Sequence, residues 1–316
     1  MNKSLLALLI GGALIASAGA QQPMLLETLP VHGQVSLITA GDANALVQVG
    51  SQGVLVVDTL TADLGDRLVA SIRALAGNRP IRYIVNTQAD ADHTGGNVAV
   101  ATAGTQLVGG NFAAQLGAAG SGSAFIVAHE QVLNRLSGVA KGETPAPFAA
   151  WPTDTFFQNE KTMYFNGEGI QLLRIPAAHT DGDTLVFFRS SDVIAAGGVY
   201  DTTAFPRIDI ARGGSVNGIV EALNTLVDMA ISEQFTEGGT RIVPGRGRIS
   251  DEFDVVEYRD MMTIVRDRVQ AMMKKGMTLE QVRAARPAFD YEPRYGATNG
   301  PWTTAMFVES VFRSAK

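Results

Sequence analysis

The chain has 316 residues, 46% of them hydrophobic, a formal net charge of −6 and no cysteine. That length and apolar fraction suit one large α/β domain or two small ones with a full core. The acidic balance, with no cluster of Lys and Arg able to follow a phosphate backbone, argues against a nucleic-acid partner, and the lack of cysteine excludes disulfides and thiol-linked lipid.

The chain opens with Lys3, an apolar and small-residue run over 5–15, and Ala18-Gly19-Ala20. This is the pattern of a signal peptide with an A-x-A cleavage site. The apolar run is short of the roughly 20 residues that span a bilayer. Cleavage before Gln21 is therefore expected, giving a periplasmic or secreted protein with no membrane contact and, once Lys3 is lost, a net charge of −7.

Strands are predicted over 35–39, 45–49 and 54–57, the last pair joined by a turn over 50–53. Leu64, Leu68, Ile72 and Leu75 share one helical face over 61–76, and a strand follows over 82–86. The polar loop 87–97 comes next. Residues 113–152, low in charge and rich in Gly, Ala and Pro, read as a flap with a helix over 125–136 that shapes the mouth of a pocket. A strand over 171–175 leads into a second loop over 176–184. Two strand-end loops rich in titratable groups are where an α/β site usually lies. Gly213-Gly214-Ser215-Val216-Asn217 reads as a helix start. Beyond Ser250, Val256, Met261, Ile264, Val265, Val269 and Met272 form one helical stripe; Gly276 stops it, and Thr278 with Gln281 caps a new start.

The segment Asn86-Thr87-Gln88-Ala89-Asp90-Ala91-Asp92-His93-Thr94-Gly95-Gly96-Asn97 carries the most chemical information. Asp90, Asp92 and His93 fall in a turn after a buried strand, a spacing that aims several ligands at one point; an acidic turn capping the next helix is the plainer alternative. His32 and His129 have no second ligand at metal spacing. A nucleophilic serine is unsupported, since no G-x-S-x-G occurs.

This loop resembles the H-x-H-x-D-H signature of the metallo-β-lactamase superfamily, with Asn-Thr before it and Thr-Gly-Gly-Asn after it. Four further segments resemble the family's motifs in the right order: Val57-Asp58-Thr59, Ala177-Ala178-His179-Thr180-Asp181-Gly182-Asp183, Ala196-Gly197-Gly198-Val199-Tyr200 and Val243-Pro244-Gly245-Arg246-Gly247. The resemblance implies a four-layer αββα sandwich over residues 21–250, with residues 251–316 as a helical extension packed on it. The tail, with Gly300-Pro301-Trp302, is similar to exported bacterial proteins of this kind.

Carried over residue by residue, the first metal position offers Gln88, Asp90 and His179 in place of three histidines. The second offers Asp92, His93, Gly198 and Arg246 in place of Asp, His, a bridging Asp and His. Glycine supplies no side chain and a guanidinium cannot ligate. The resemblance thus implies at most one divalent cation, zinc before manganese or iron(II), held by some of Gln88, Asp90, Asp92, His93 and His179, and leaves a metal-free centre open. Asp92 would orient a water or take its proton, and Asp58 would steady a histidine. Arg246 would pair bidentately with Asp90 or Asp92 and stand in for the second cation. The expected activity is hydrolysis of an ester, amide or lactam-like bond in a small-molecule substrate; the alternative is a catalytically silent binding or accessory protein of the envelope.

Overall fold

The computed structural model describes residues 26–106, 122–235 and 238–315. The signal segment expected over 1–20, and part of the flap, lie outside the described residues. Among those described, no helix is long and apolar enough to cross a membrane.

The amino-terminal half builds β1 (Leu26–His32), β2 (Val35–Ala40), β3 (Ala43–Gly50) and β4 (Gly53–Val57), an antiparallel series. Helix α1 (Gly65–Ala76) carries the chain across to β5 (Ile81–Val85), parallel to β4. Short helices α2 (Ala91–Thr94) and α3 (Asn97–Thr102) follow, then β6 (Phe125–His129), α4 (Glu130–Leu136) and β7 (Asp154–Phe156), with β6 and β7 continuing the parallel run. The helix expected over 125–136 is thus a strand and a helix: residues 125–129 are a buried parallel strand, and only Glu130–Leu136 is helical. A strand buried on both faces loses the alternation that distinguishes it from a helix.

The carboxy-terminal half builds β8 (Glu160–Phe165), β9 (Glu168–Ile175), β10 (Asp183–Phe188) and β11 (Val193–Asp201) as antiparallel neighbours, then α5 (Val216–Met229) and β12 (Arg241–Arg246), parallel to β11. Helices α6 (Glu252–Lys274), α7 (Leu279–Ala284), α8 (Glu292–Tyr295) and α9 (Thr304–Ser314) complete it. Asp251 with Asp254, and Thr278 with Gln281, form capping boxes at the starts of α6 and α7. These boxes satisfy amides left orphaned at a helix start.

Three apolar clusters fix the layering. Leu37, Leu46, Leu55, Val57, Val85 and Val127 of the first half meet Phe165, Leu172, Val186, Phe188 and Val243 of the second, so the two halves of the mixed sheet face each other. Ile38, Val54, Val56 and Ile84 turn the other way onto Leu68, Ile72 and Val100 of α1 and α3. Leu185, Ile194 and Ile242 pack outward onto Ile219, Leu223, Tyr258, Met262, Val265 and Phe307. The order is helix, sheet, sheet, helix, and the helices beyond Ser250 share the outer core with α5. The halves are joined by the pairing of Ala43 with Arg246, the last residue of β12.

Candidate functional site

Both motif loops emerge at the ends of strands from the two halves. The first is locked at its base: Asn86 and Asn97 exchange side-chain hydrogen bonds of 3.0 and 2.8 Å, and Thr59 Oγ1 donates to Asn97 Oδ1 at 2.9 Å. Gly96 is required here, because a Cβ would stand 2.2 Å from the Thr59 carbonyl oxygen. Asp58 and Leu60 after β4, and Ala177 in the second loop, take left-handed φ of 59°, 58° and 58° without being glycine. Such conformations cost about 1–3 kcal/mol each and cluster at functional sites.

Asp58 organises the first loop. Its carboxylate accepts from Thr87 N at 2.8 Å, from Thr87 Oγ1 at 2.6 Å and from His93 Nδ1 at 2.7 Å. The opposite ring nitrogen, Nε2, has no hydrogen-bond partner among the described residues. Burial works against protonation of His93, but Asp58 outweighs it and raises the imidazole above its ordinary value.

Asp90 stands at the N-cap position of α2 yet makes no side-chain cap bond, so capping does not account for it. Its Oδ2 accepts from His179 Nε2 at 3.0 Å and its Oδ1 from Arg212 Nη1 at 2.7 Å. Burial opposes ionisation of Asp90; the His179 hydrogen bond and the charges of His179, His93 and Arg212 outweigh it and hold the carboxyl well below the usual range. His179 donates from Nδ1 to the Arg207 carbonyl at 3.0 Å. Burial would lower its pKa, but the Asp90 bond and the nearby Asp183 charge push it up to about 9.

Arg246 reaches Asp92 Oδ2 from Nη2 at 2.5 Å and Asp42 Oδ1 from Nη1 at 3.0 Å. The expected bidentate clasp is therefore a bridge, with the fork divided between two carboxylates. Burial opposes ionisation of Asp92, but His93 and Arg246 outweigh it and keep the acid below its ordinary value. At Gly198 a Cβ would lie 2.7 Å from Gln88 Nε2 and 2.8 Å from its Oε1, so the Gln88 amide occupies the space a longer side chain there would need. Gln88 Oε1 is buried without a hydrogen-bond partner.

Gln88, Asp90, Asp92, His93, His179, Gly198 and Arg246 line one small cavity of about 30 Å³, with Asp201 and Arg207. Asp58 stands behind it, touching His93 alone of the two histidines. Asp90 also lines a second cavity of about 970 Å³ between α1, α3 and α4, walled by Val69, Val98, Leu136, Pro147, Arg135 and Arg212. Residues 143–150 of the expected flap contribute to that wall. Among the described residues no group of three or more His, Cys, Asp or Glu forms a metal-ligand cluster.

Sequence reasoning missed Arg212, Glu143, Asp42, Asp201 and Arg207. Arg212 directly precedes the flagged Gly213-Gly214 and holds Glu143 by Nε at 2.8 Å as well as Asp90. Asp201, three residues after Gly198, lines the same cavity and accepts from Thr203 N and Oγ1 at 2.7 Å each.

Comparisons with known proteins bear on the fold. The superposition with a metallo-beta-lactamase from Pontibacter korlensis has a TM-score of 0.55 at 17% identity, over 76% of this chain and 99% of that one. A metallo-beta-lactamase from Hirschia baltica gives 0.53 at 14%, over 75% and 97%. The stereoselective inverting sec-alkylsulfatase from a Pseudomonas species gives 0.62 at 14%, over 92% of this chain and 50% of the larger enzyme. At these identities the likeness is one of fold. No curated protein matches the sequence. The model of the metallo-beta-lactamase superfamily matches residues 38–210, more than half of the chain. With five ordered motifs, two facing sheet halves between helical layers and both motif loops on one cavity, the chain belongs to the metallo-β-lactamase superfamily.

Proposed function

We propose that this protein is a hydrolase-type member of the superfamily whose centre works with at most one divalent cation, and that it acts on an ester, amide or lactam-like bond of a small molecule. The observation that carries this is the convergence of Gln88 Oε1, Asp90 and His179 on one cavity. A buried oxygen without a partner calls for a cation or a water. His179 Nε2 and Asp90 Oδ2 stand 3.0 Å apart, close to the roughly 3.3 Å that two donors subtend on a tetrahedral ion with bonds of about 2.0–2.1 Å. The Nδ1 proton of His179 is committed to a carbonyl, which leaves Nε2 as the ligating nitrogen. This mixed oxygen and nitrogen set suits zinc, then manganese or iron(II). Two cations do not fit: Gly198 lends no donor, Gln88 fills the space beside it, and Arg246 holds a fixed positive charge against Asp92.

When bound, a cation would supply Lewis acidity and a lower pKa for its water. The protein's own groups then have distinct tasks. Asp92, ionised at neutral pH, orients the attacking water. Asp58 fixes the His93 ring, and Arg246 faces the negative charge that develops on the carbonyl oxygen. The larger cavity takes the apolar body of the substrate. The chain is read as exported to the periplasm or beyond, without nucleic-acid or membrane partners.

One observation favours a second reading, a silent binding or accessory protein of the envelope: Asp90 is already neutralised by both His179 and Arg212. Turnover of nitrocefin and p-nitrophenyl esters, measured beside metal content, separates the two. The hydrolase reading expects near-stoichiometric metal, and loss of metal and turnover together in His179→Ala. A folded wild-type protein with neither metal nor turnover would end it.

A further inference from the structure

We propose that Asn299 is a site of spontaneous covalent modification, losing its side-chain amide through an imide formed with Gly300. Neither step draws on the centre described above or on the hydrolase reading of it. The Gly300 backbone nitrogen attacks Asn299 Cγ. The new C–N bond closes a five-membered ring, and the Nδ2 group leaves as ammonia with the proton lost from the attacking nitrogen. Water then adds to one of the two ring carbonyls and opens the imide, leaving an aspartyl or an isoaspartyl residue. The surface gains one carboxylate. Such a ring closes where the asparagine side chain can turn onto the following nitrogen, where that N–H is not committed to a hydrogen bond, and where no Cβ crowds the approach. A following glycine meets the last condition; the fold decides the first two.

The chain has three Asn-Gly pairs, and their surroundings differ. Asn166, before Gly167, is buried; its Nδ2 donates to Gln48 Oε1 at 3.2 Å and to the Gly53 carbonyl at 3.0 Å, and its Oδ1 accepts from Gln52 N at 2.9 Å. That amide cannot turn without breaking all three bonds. Asn217 lies in the first turn of α5, where Gly218 N donates to Ser215 Oγ at 2.9 Å. A Cβ on Gly218 would stand 1.7 Å from the Ala177 carbonyl oxygen, so the attacking nitrogen is both occupied and walled in. Asn299 and Gly300 are exposed, in the loop between α8 and α9. Neither makes a hydrogen bond among the described residues, and a Cβ on Gly300 would meet nothing within 4 Å. The base of this loop is held: Thr304 N donates to the Ala297 carbonyl at 2.9 Å, Ala297 N to Thr304 Oγ1 at 3.1 Å and Trp302 Nε1 to the Phe205 carbonyl at 3.0 Å. Those anchors flank the pair, and the tip between them keeps the freedom that ring closure needs.

The test is incubation of the full folded chain at mildly alkaline pH, followed by tryptic mapping with mass spectrometry. Cleavage after Lys and Arg places Asn166, Asn217 and Asn299 in separate peptides, residues 162–174, 213–241 and 295–313. In peptide 295–313 the amide-to-acid mass change, located at Asn299 by fragmentation, is expected at least about tenfold faster than at the other two sites, which must open locally before they react. In urea, with the fold gone, the three rates should come within about threefold of one another. Asn299→Gln should remove the acidic form that the folded chain accumulates on anion exchange. Conversion of Asn166 or Asn217 as fast as Asn299 in the folded chain would overturn the proposal. So would an Asn299 that converts in urea but not in the folded chain, or an undiminished acidic form in Asn299→Gln. Metal content and turnover decide the hydrolase reading and leave these outcomes untouched.

Discussion

Arg246 ties two carboxylates together at this site. Its guanidinium neutralises Asp92 and Asp42 from the end of β12, where the two sheet halves join, with 24% of its side chain exposed against 17% for Asp92. An ion pair this sheltered adds little net stability over an apolar pair, but losing one partner leaves the other charge stranded. Arg246→Ala should therefore destabilise the protein by about 2–3 kcal/mol in urea unfolding, and the Asp92→Ala/Arg246→Ala double variant should lose less than the sum of its singles. Additive losses, or a loss below about 0.5 kcal/mol in Arg246→Ala, would mean the pair is a loose surface contact. The pair was legible only in part. The resemblance singled out Arg246 and a carboxylate partner, but the division of its fork between Asp92 and Asp42 depends on the turn before β3, far away in sequence. Arg212, Arg207 and Glu143 were invisible for the same reason: no motif carries them, and tertiary packing alone brings them to Asp90 and the cavity.

Among the elements, the junction of β6 and α4 departs most from the sequence reading. The helix over 61–76 was legible because its buried positions Leu64, Leu68 and Ile72 recur at helical spacing. Residues 125–129 offered no such contrast. His129 closes that strand and caps α4, its Nδ1 accepting from Gln131 N at 3.3 Å, while its ring meets Phe156 edge-on at 5.3 Å between centroids. Its Nε2 is buried without a partner. Burial first, then the charges of Arg174 and Arg135 against that of Asp181, push the imidazole down to about 4. A histidine depressed in the folded state favours the neutral form. Its contribution to stability is complete above about pH 6.5 and is lost as pH falls toward about 4. Unfolding free energy should fall across that window with a slope of up to about 1.4 kcal/mol per pH unit from this group. His129→Gln should remove that part of the slope, and an unchanged slope in the variant would refute the assignment.

At the scale of the molecule, alternation in β2 and β3, an apolar β4 and the ordered motifs made the sandwich readable. What they could not carry was the balance of charge at the centre, where three carboxylates are each answered by a cation from another element: Asp90 by His179 and Arg212, Asp92 by Arg246, and Asp58 by His93. Under the proposed function, one cation would sit at Gln88, Asp90 and His179 and none next to Arg246. Native mass spectrometry of the purified chain equilibrated with excess zinc, then exchanged into metal-free buffer, measures this directly. The expected result is no more than one zinc per chain, lost in His179→Ala and unchanged in number in Arg246→Ala; two tightly held zinc ions per wild-type chain would contradict it.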